Sequence, residues 1–123
     1  MEEIQAFIVR ENLSVNFPLE VRFTGKDDIY LSPNEGWDSC WIGVVMYRPF
    51  LKDPPQYKQV FAGFERIVKE LGGRPHWAKA FDQEGFRLED LYPRTAAKFR
   101  EVRAQLDPEG LFLNDLLRKI FNE

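Results

Sequence analysis

The sequence predicts an α+β domain with a small, mainly antiparallel sheet and flanking helices. Three features carry that expectation: strict alternation over residues 19–24, an apolar run of strand length over 40–47, and three-and-four spacing of apolar residues over 57–71 and 113–121. With 123 residues, 44% apolar and 15% aromatic, the chain holds material for one compact domain and is too short for two ordinary ones.

Residues 2–12 read as a short helix, with Ile4, Phe7 and Ile8 forming a small apolar stripe. It begins within two residues of Met1 with no capping side chain ahead of it, as expected of a domain cut from a longer protein. After Asn16 the period changes to two: Leu19, Val21 and Phe23 face one way, Glu20, Arg22 and Thr24 the other. Residues 25–28 form a polar turn, 29–31 a short edge strand and 32–39 a loop rich in turn formers. The run 40–47 is apolar on both faces, which predicts a central strand covered on both sides. Asp53-Pro54-Pro55-Gln56 predicts a helix start, with Asp53 as cap, Pro54 at the first helical position and Gln56 reaching back. The helix that follows carries Tyr57, Val60, Phe61, Phe64, Ile67, Val68 and Leu71 on one stripe, and Gly72-Gly73 stops it. Phe99, Val102 and Leu106 mark another helix, residues 107–110 a turn, and Leu113, Leu116, Leu117, Ile120 and Phe121 a last helix with Asn114 as its cap.

Charge and composition exclude several function classes. Seventeen Lys and Arg against twenty Asp and Glu leave a net charge of −3, which argues against a nucleic-acid or acidic-membrane binder needing a basic face. One cysteine, Cys40, and one histidine, His76, exclude an internal disulfide and a Cys/His zinc or multi-histidine centre. No run approaches the ~20 apolar residues of a membrane-spanning helix, and Glu2 and Glu3 stand where a secretory leader would be positive.

Two motifs carry chemistry. Glu20 and Arg22, two apart on a strand, project a carboxylate and a guanidinium side by side. Spacing leaves open a solvated surface pair and a clamp in which Glu20 accepts from hydroxyls and Arg22 donates to a ring or carbonyl oxygen. The segment Arg74-Pro75-His76-Trp77-Ala78-Lys79 gathers guanidinium, imidazole, indole and ammonium just after a helix stop. It reads either as a surface turn, with Trp77 plugging the core and His76 capping the preceding helix, or as a site for a flat, electron-rich ligand. Two weaker readings are a calcium loop of Asp27, Asp28, Asn34, Glu35 and Asp38, whose spacing does not match the helix-loop-helix site, and a Cys40–His76 thiol–base pair. A buried structural thiol is the favoured reading of Cys40.

PLEVRFTGKDDIYLSP, DSCWIGVVMYRPF, GGRPHWAKAF and VRAQLDPEGLFLNDLLRKIF together resemble the C-terminal part of the sugar-1,4-lactone oxidases, from Phe17 to the end. His76-Trp77-Ala78-Lys79 matches that family's HWxK signature, and Glu20-Val21-Arg22 its ExR pair. The resemblance implies that residues 1–123 are the C-terminal substrate (cap) domain of a vanillyl-alcohol-oxidase-type flavoprotein whose N-terminal FAD-binding domain is absent. It implies oxidation of a lactone hydroxyl, hydride transfer to FAD and return of the electrons to oxygen as hydrogen peroxide, a gulono-lactone giving ascorbate. Under it Lys79, Glu20 and Arg22 are catalytic; Glu20, Arg22, Met46 and Lys79 bind substrate; His76, Trp77 and Lys79 border the cofactor; no metal is involved. The side chains of Glu20, Arg22 and Lys79 are expected to meet in one cleft. Related alditol oxidases carry His and Thr where this chain has Val44 and Met46, which disfavours open-chain polyols. Expected partners are the sugar lactone, oxygen and the FAD domain, with self-association through an exposed apolar patch, and no nucleic acid. Animal-type members imply endoplasmic-reticulum association for the full-length enzyme. The competing expectation is a non-catalytic lactone- or flavin-binding, or interaction, module on the same scaffold.

Overall fold

A computed structural model describes residues 1–15, 19–83 and 85–122. The period change at Asn16 and the start of the resemblance at Phe17 fall outside them. The described chain is a small α+β structure with one two-stranded antiparallel sheet and several helices: α1 (Glu2–Arg10), β1 (Glu20–Thr24), β2 (Ser39–Gly43), α2 (Tyr57–Glu70), α3 (Leu88–Leu91), α4 (Ala96–Leu106) and α5 (Asp115–Phe121). Two compact units divide it: Met1–Thr24 with Asp38–Arg74, and Gly25–Trp37 with Pro75–Glu123.

In the first unit, α1 buries the Ile4 and Phe7 stripe that its spacing predicts, against Leu13 and the Val60 and Ile67 stripe of α2. Gly63, on that same α2 face, lies under the Phe7 ring, and a Cβ at position 63 would overlap it. The helix ends as expected. Gly72 takes a left-handed φ of 75° and donates to the Lys69 carbonyl (3.0 Å), and Gly73 donates to that of Val68 (2.8 Å), a two-bond C-terminal cap. Its start differs from the expectation. Pro55 bars Pro54 from the helical region, so the helix begins at Tyr57 behind a left-handed Gln56. The freed Asp53 carboxylate pairs with Arg48 (2.7 Å), and the Gln56 side-chain oxygen accepts from the Ser14 N–H (3.2 Å).

The sheet is smaller than expected. β1 and β2 pair with Glu20 opposite Gly43, Val21 opposite Ile42, Arg22 opposite Trp41 and Phe23 opposite Cys40. Among the described residues β2 has β1 as its one partner, so it is not a central strand, and it ends at Gly43. Leu19, Ile42, Val44 and Met46 pack on the α1–α2 core, whereas Phe23 is 81% exposed. The helices therefore cover one end of the hairpin and leave the other open. Cys40 belongs to the open end and is exposed, which corrects its reading as a buried thiol.

In the second unit, Leu31, Leu88, Tyr92, Ala96, Ile120 and Phe121 form the core. Residues 29–31 make a loop instead of an edge strand. Asp27 captures the Ile29 N–H (3.1 Å) and the Ser32 hydroxyl (2.6 Å), an Asx-type turn that competes with strand pairing. Leu31 is thereby turned into the core with a left-handed φ of 59°. The acidic loop is structural: Glu35, 4% exposed, accepts from the Thr95 hydroxyl at 2.6 Å. α5 is capped as expected, Asn114 Oδ1 accepting from the Leu117 N–H (2.9 Å). The 107–110 turn forms too, and the Asp107 carboxylate accepts from the Leu111 and Phe112 N–H groups. The short α3, whose four residues are too few to show a period, had no signal.

Arg100 ties three helices together. It donates twice to Glu89 Oε1 on α3 (3.1 and 2.8 Å) and once to the Phe121 carbonyl at the end of α5 (2.8 Å). Its hydrogen bonds, ahead of the charges of Arg100 and Arg87, hold the Glu89 carboxyl below its ordinary 4.5. A carboxylate with a lowered folded pKa stabilises above its unfolded pKa and loses that contribution as pH falls through the folded one.

Two outcomes follow for stability. Gly63→Ala gains ~1 kcal/mol of helix propensity but meets the Phe7 ring, and overpacking costs ~1–3 kcal/mol. Urea unfolding should show a net loss of stability; a gain would contradict the packing of α1 on α2. Glu89→Gln should cost up to ~1 kcal/mol near neutral pH, as for a partly exposed pair. The gap from wild type should close as pH drops below 4.5, and a gap constant with pH would contradict the Arg100 assignment.

Candidate functional site

The predicted site residues fall into two groups, one in each unit. In the first, the strand period sends Glu20, Arg22 and Thr24 to one face of the hairpin, and the register sets Gly43, Trp41 and Ser39 opposite them on that face. Glu20 and Arg22 form an ion pair, with side chains 52% and 71% exposed. At this exposure the pair contributes little to stability, and both groups stay open to a ligand. Trp41 adds a feature that apolarity alone concealed: its indole N–H donates to the Thr24 hydroxyl at 2.8 Å, fixing the ring beside the ion pair. Met46 is half-buried. Together with Val44 it packs against the α1–α2 core.

In the second unit, His76–Lys79 is a tight turn, the Lys79 N–H donating to the His76 carbonyl at 3.0 Å. His76 Nδ1 accepts from the Ala78 N–H (3.0 Å), so the imidazole braces its own turn. Trp77 is the anchor. Its indole N–H donates to the Leu31 carbonyl (2.8 Å), and its ring stacks on Tyr92 (6.1 Å, 17°) and tilts against Phe86 (5.5 Å). Rooting Trp77 inward turns His76 and Lys79 outward, and both are exposed. The indole thus fills the core, as one of the two readings of this segment expects. The turn offers a ligand an imidazole edge and an ammonium.

Those donors decide what a flavin would find here. An exposed Lys79 ammonium and His76 imidazole on a braced turn suit the hydrogen-bond-accepting carbonyl and nitrogen edge of a flat heterocycle. Trp77, half-buried, has its N–H and one stacked ring face engaged in the core. Among the described residues no cluster of His, Cys, Asp or Glu could hold a metal ion, and no helix is long and apolar enough to cross a membrane. A separate open cleft of about 650 Å³ in the second unit has Lys26, Arg94 and Lys98 offset by Asp27, Asp28 and Glu35.

Both motifs sit in a sequence that matches the D-arabinono-1,4-lactone oxidase family over residues 1–120. The chain belongs to that family. It is 48% identical over 106 residues to L-gulonolactone oxidase of Mus musculus, covering 86% of this chain and 24% of that protein. It is 35% identical over 120 residues to L-gulono-1,4-lactone dehydrogenase of Mycobacterium tuberculosis, covering 98% and 27%. The alditol oxidase of a Streptomyces species is 33% identical over 103 residues, covering 84% and 24%. The chain therefore spans about a quarter of the length of the curated relatives it matches. No solved structure matches it.

The anchoring role of Trp77 has a direct test. Trp77→Phe keeps an aromatic in the core but leaves the Leu31 carbonyl without its indole donor, a loss of ~1 kcal/mol or more. Lys79→Ala removes only an exposed side chain and should shift stability by less than ~0.5 kcal/mol. Parallel denaturant titrations read both, and a Lys79 variant as damaged as the Trp77 one would contradict the inward–outward division of the turn.

Proposed function

We propose that this chain is the substrate-facing C-terminal part of an FAD-dependent aldonolactone oxidase acting on L-gulono-1,4-lactone or a close relative. The observation that carries the proposal is the pairing of a family match over residues 1–120 with outward presentation of both family motifs, Glu20–Arg22 on a strand and His76–Lys79 on an anchored turn. The absence of a Gly-rich phosphate cradle, and the quarter-length span against the relatives, support dinucleotide binding by residues outside this chain. The exposed apolar side chains Phe23, Phe50 and Leu51 of one unit, and Leu106, Leu111 and Phe112 of the other, support packing against further protein, including a second copy.

The residues divide the work by their chemistry. Glu20 accepts hydrogen bonds from two lactone hydroxyls and so orients the ring. Arg22, held in place by Glu20, donates to the lactone carbonyl or ring oxygen. Lys79 stabilises negative charge that builds as the carbinol loses its proton and hydride, and His76 braces the turn that presents it. FAD, when bound, supplies the two-electron acceptor, and oxygen reoxidises it to give hydrogen peroxide. The lactone hydroxyl becomes a ketone, and with a gulono-lactone the product tautomerises to ascorbate. Relatives named both oxidase and dehydrogenase support a shared first half-reaction with different final acceptors.

In the whole flavoenzyme, Lys79→Ala should slow flavin reduction on the order of a hundredfold, as loss of one preorganised charged contact does, and change lactone affinity much less. Arg22→Ala should weaken affinity as well as turnover, because its contact exists already in the ground state. Stopped-flow bleaching of the flavin separates the two, and wild-type reduction in Lys79→Ala would remove Lys79 from catalysis.

A further inference from the structure

The face that carries Glu20 and Arg22 holds more than the ion pair. Register places Trp41 directly opposite Arg22 and Gly43 directly opposite Glu20, on the same side of the hairpin. Trp41 is half-buried, and the bond from its indole N–H to Thr24 Oγ1 (2.8 Å) removes the freedom of a surface aromatic. Thr24 is itself the next outward residue of β1 on that face. At position 43 the missing side chain leaves the carboxylate accessible: a Cβ built there would stand 3.6 Å from Glu20 Oε2, and larger side chains would extend over it. The backbone of Gly43 has no positive φ, so conformational need does not account for the glycine.

We propose that Trp41 and Gly43 complete the lactone-binding face, Trp41 as an apolar platform for the C–H face of the sugar ring and Gly43 as the gap through which ring hydroxyls reach Glu20. The proposal rests on the lactone reading of Glu20 and Arg22 and adds the residues that would set ring orientation. A sugar lactone has two chemically distinct sides, hydroxyl edges and a C–H surface. A charged pair alone binds the first and leaves the second in water. A fixed aromatic beside the pair desolvates the C–H surface at low entropic cost, because the Thr24 bond has already ordered the ring. Apolar walls with a few placed polar groups are the usual composition of small-molecule sites. Thr24 acts here as a positioning residue, through Trp41.

The test is steady-state kinetics of the whole flavoenzyme with L-gulono-1,4-lactone, comparing Trp41→Leu, Thr24→Val and Gly43→Val, with Arg22→Lys as reference. Trp41→Leu should raise KM about tenfold, more than it lowers kcat. Thr24→Val, which keeps the strand propensity and removes only the anchor, should raise KM about threefold, and this effect should vanish in a Trp41→Leu background. Gly43→Val suits a strand and should raise KM at least tenfold by covering Glu20. If Arg22→Lys raises KM while Trp41→Leu and Gly43→Val leave it at the wild-type value, the platform and gap are overturned and the lactone reading stands. If Arg22→Lys leaves KM unchanged as well, the lactone reading itself fails. Equal effects of Thr24→Val with and without Trp41 would overturn the anchoring role.

Discussion

The register of β1 against β2 is the constraint on which the chain's chemistry depends. Side chains alternate along a strand, so a slip of one residue would carry Glu20 and Arg22 to the core side and Leu19 and Val21 outward. The pairing is held against that slip from one side. Leu19, Ile42, Val44 and Met46 lie on the α1–α2 core, and that burial commits the opposite side chains to the open face. The outward carboxylate and guanidinium are thus a consequence of where the apolar residues must go.

The second unit solves the same problem with an anchor. A loop of His76 to Lys79 would have many conformations in isolation, and a functional ammonium on it would be poorly placed. The indole of Trp77, hydrogen-bonded to Leu31 and stacked on Tyr92, draws the middle of the turn inward and fixes the sense in which its neighbours project. Leu31 can accept that bond because Asp27 has folded its own loop. Of the acidic residues that suggest a cation site, Asp27 holds that loop and Glu35 accepts from the Thr95 hydroxyl.

Much of this was legible in the residues themselves. Helical spacing located α1, α2 and α5, because each buries a stripe that a period of three to four reveals, and Asn114 and Gly72-Gly73 marked ends whose bonds the structure contains. The apolar run 40–47 misled because apolarity does not distinguish a strand covered by neighbouring strands from one whose later residues simply turn into a helical core, as Val44 and Met46 do. The start of α2 misled because a proline after Pro54 outweighs a good capping residue before it. Of the candidate site, alternation alone paired Glu20 with Arg22, whereas the match to known relatives runs over residues 1–120. Trp41 was hidden within an apolar run. Its role depends on a cross-strand register and on Thr24, neither of which a single strand displays.

Hydrogen–deuterium exchange of the full-length protein, with and without saturating L-gulono-1,4-lactone, tests the central claim most directly, because it reports where the ligand acts without assuming any step of the reaction. Lactone should slow exchange in Glu20–Thr24 and Ser39–Gly43 and in the turn at residues 76–79. Protection confined to other parts of the enzyme, with these three segments unchanged, would contradict the assignment of the lactone to this chain.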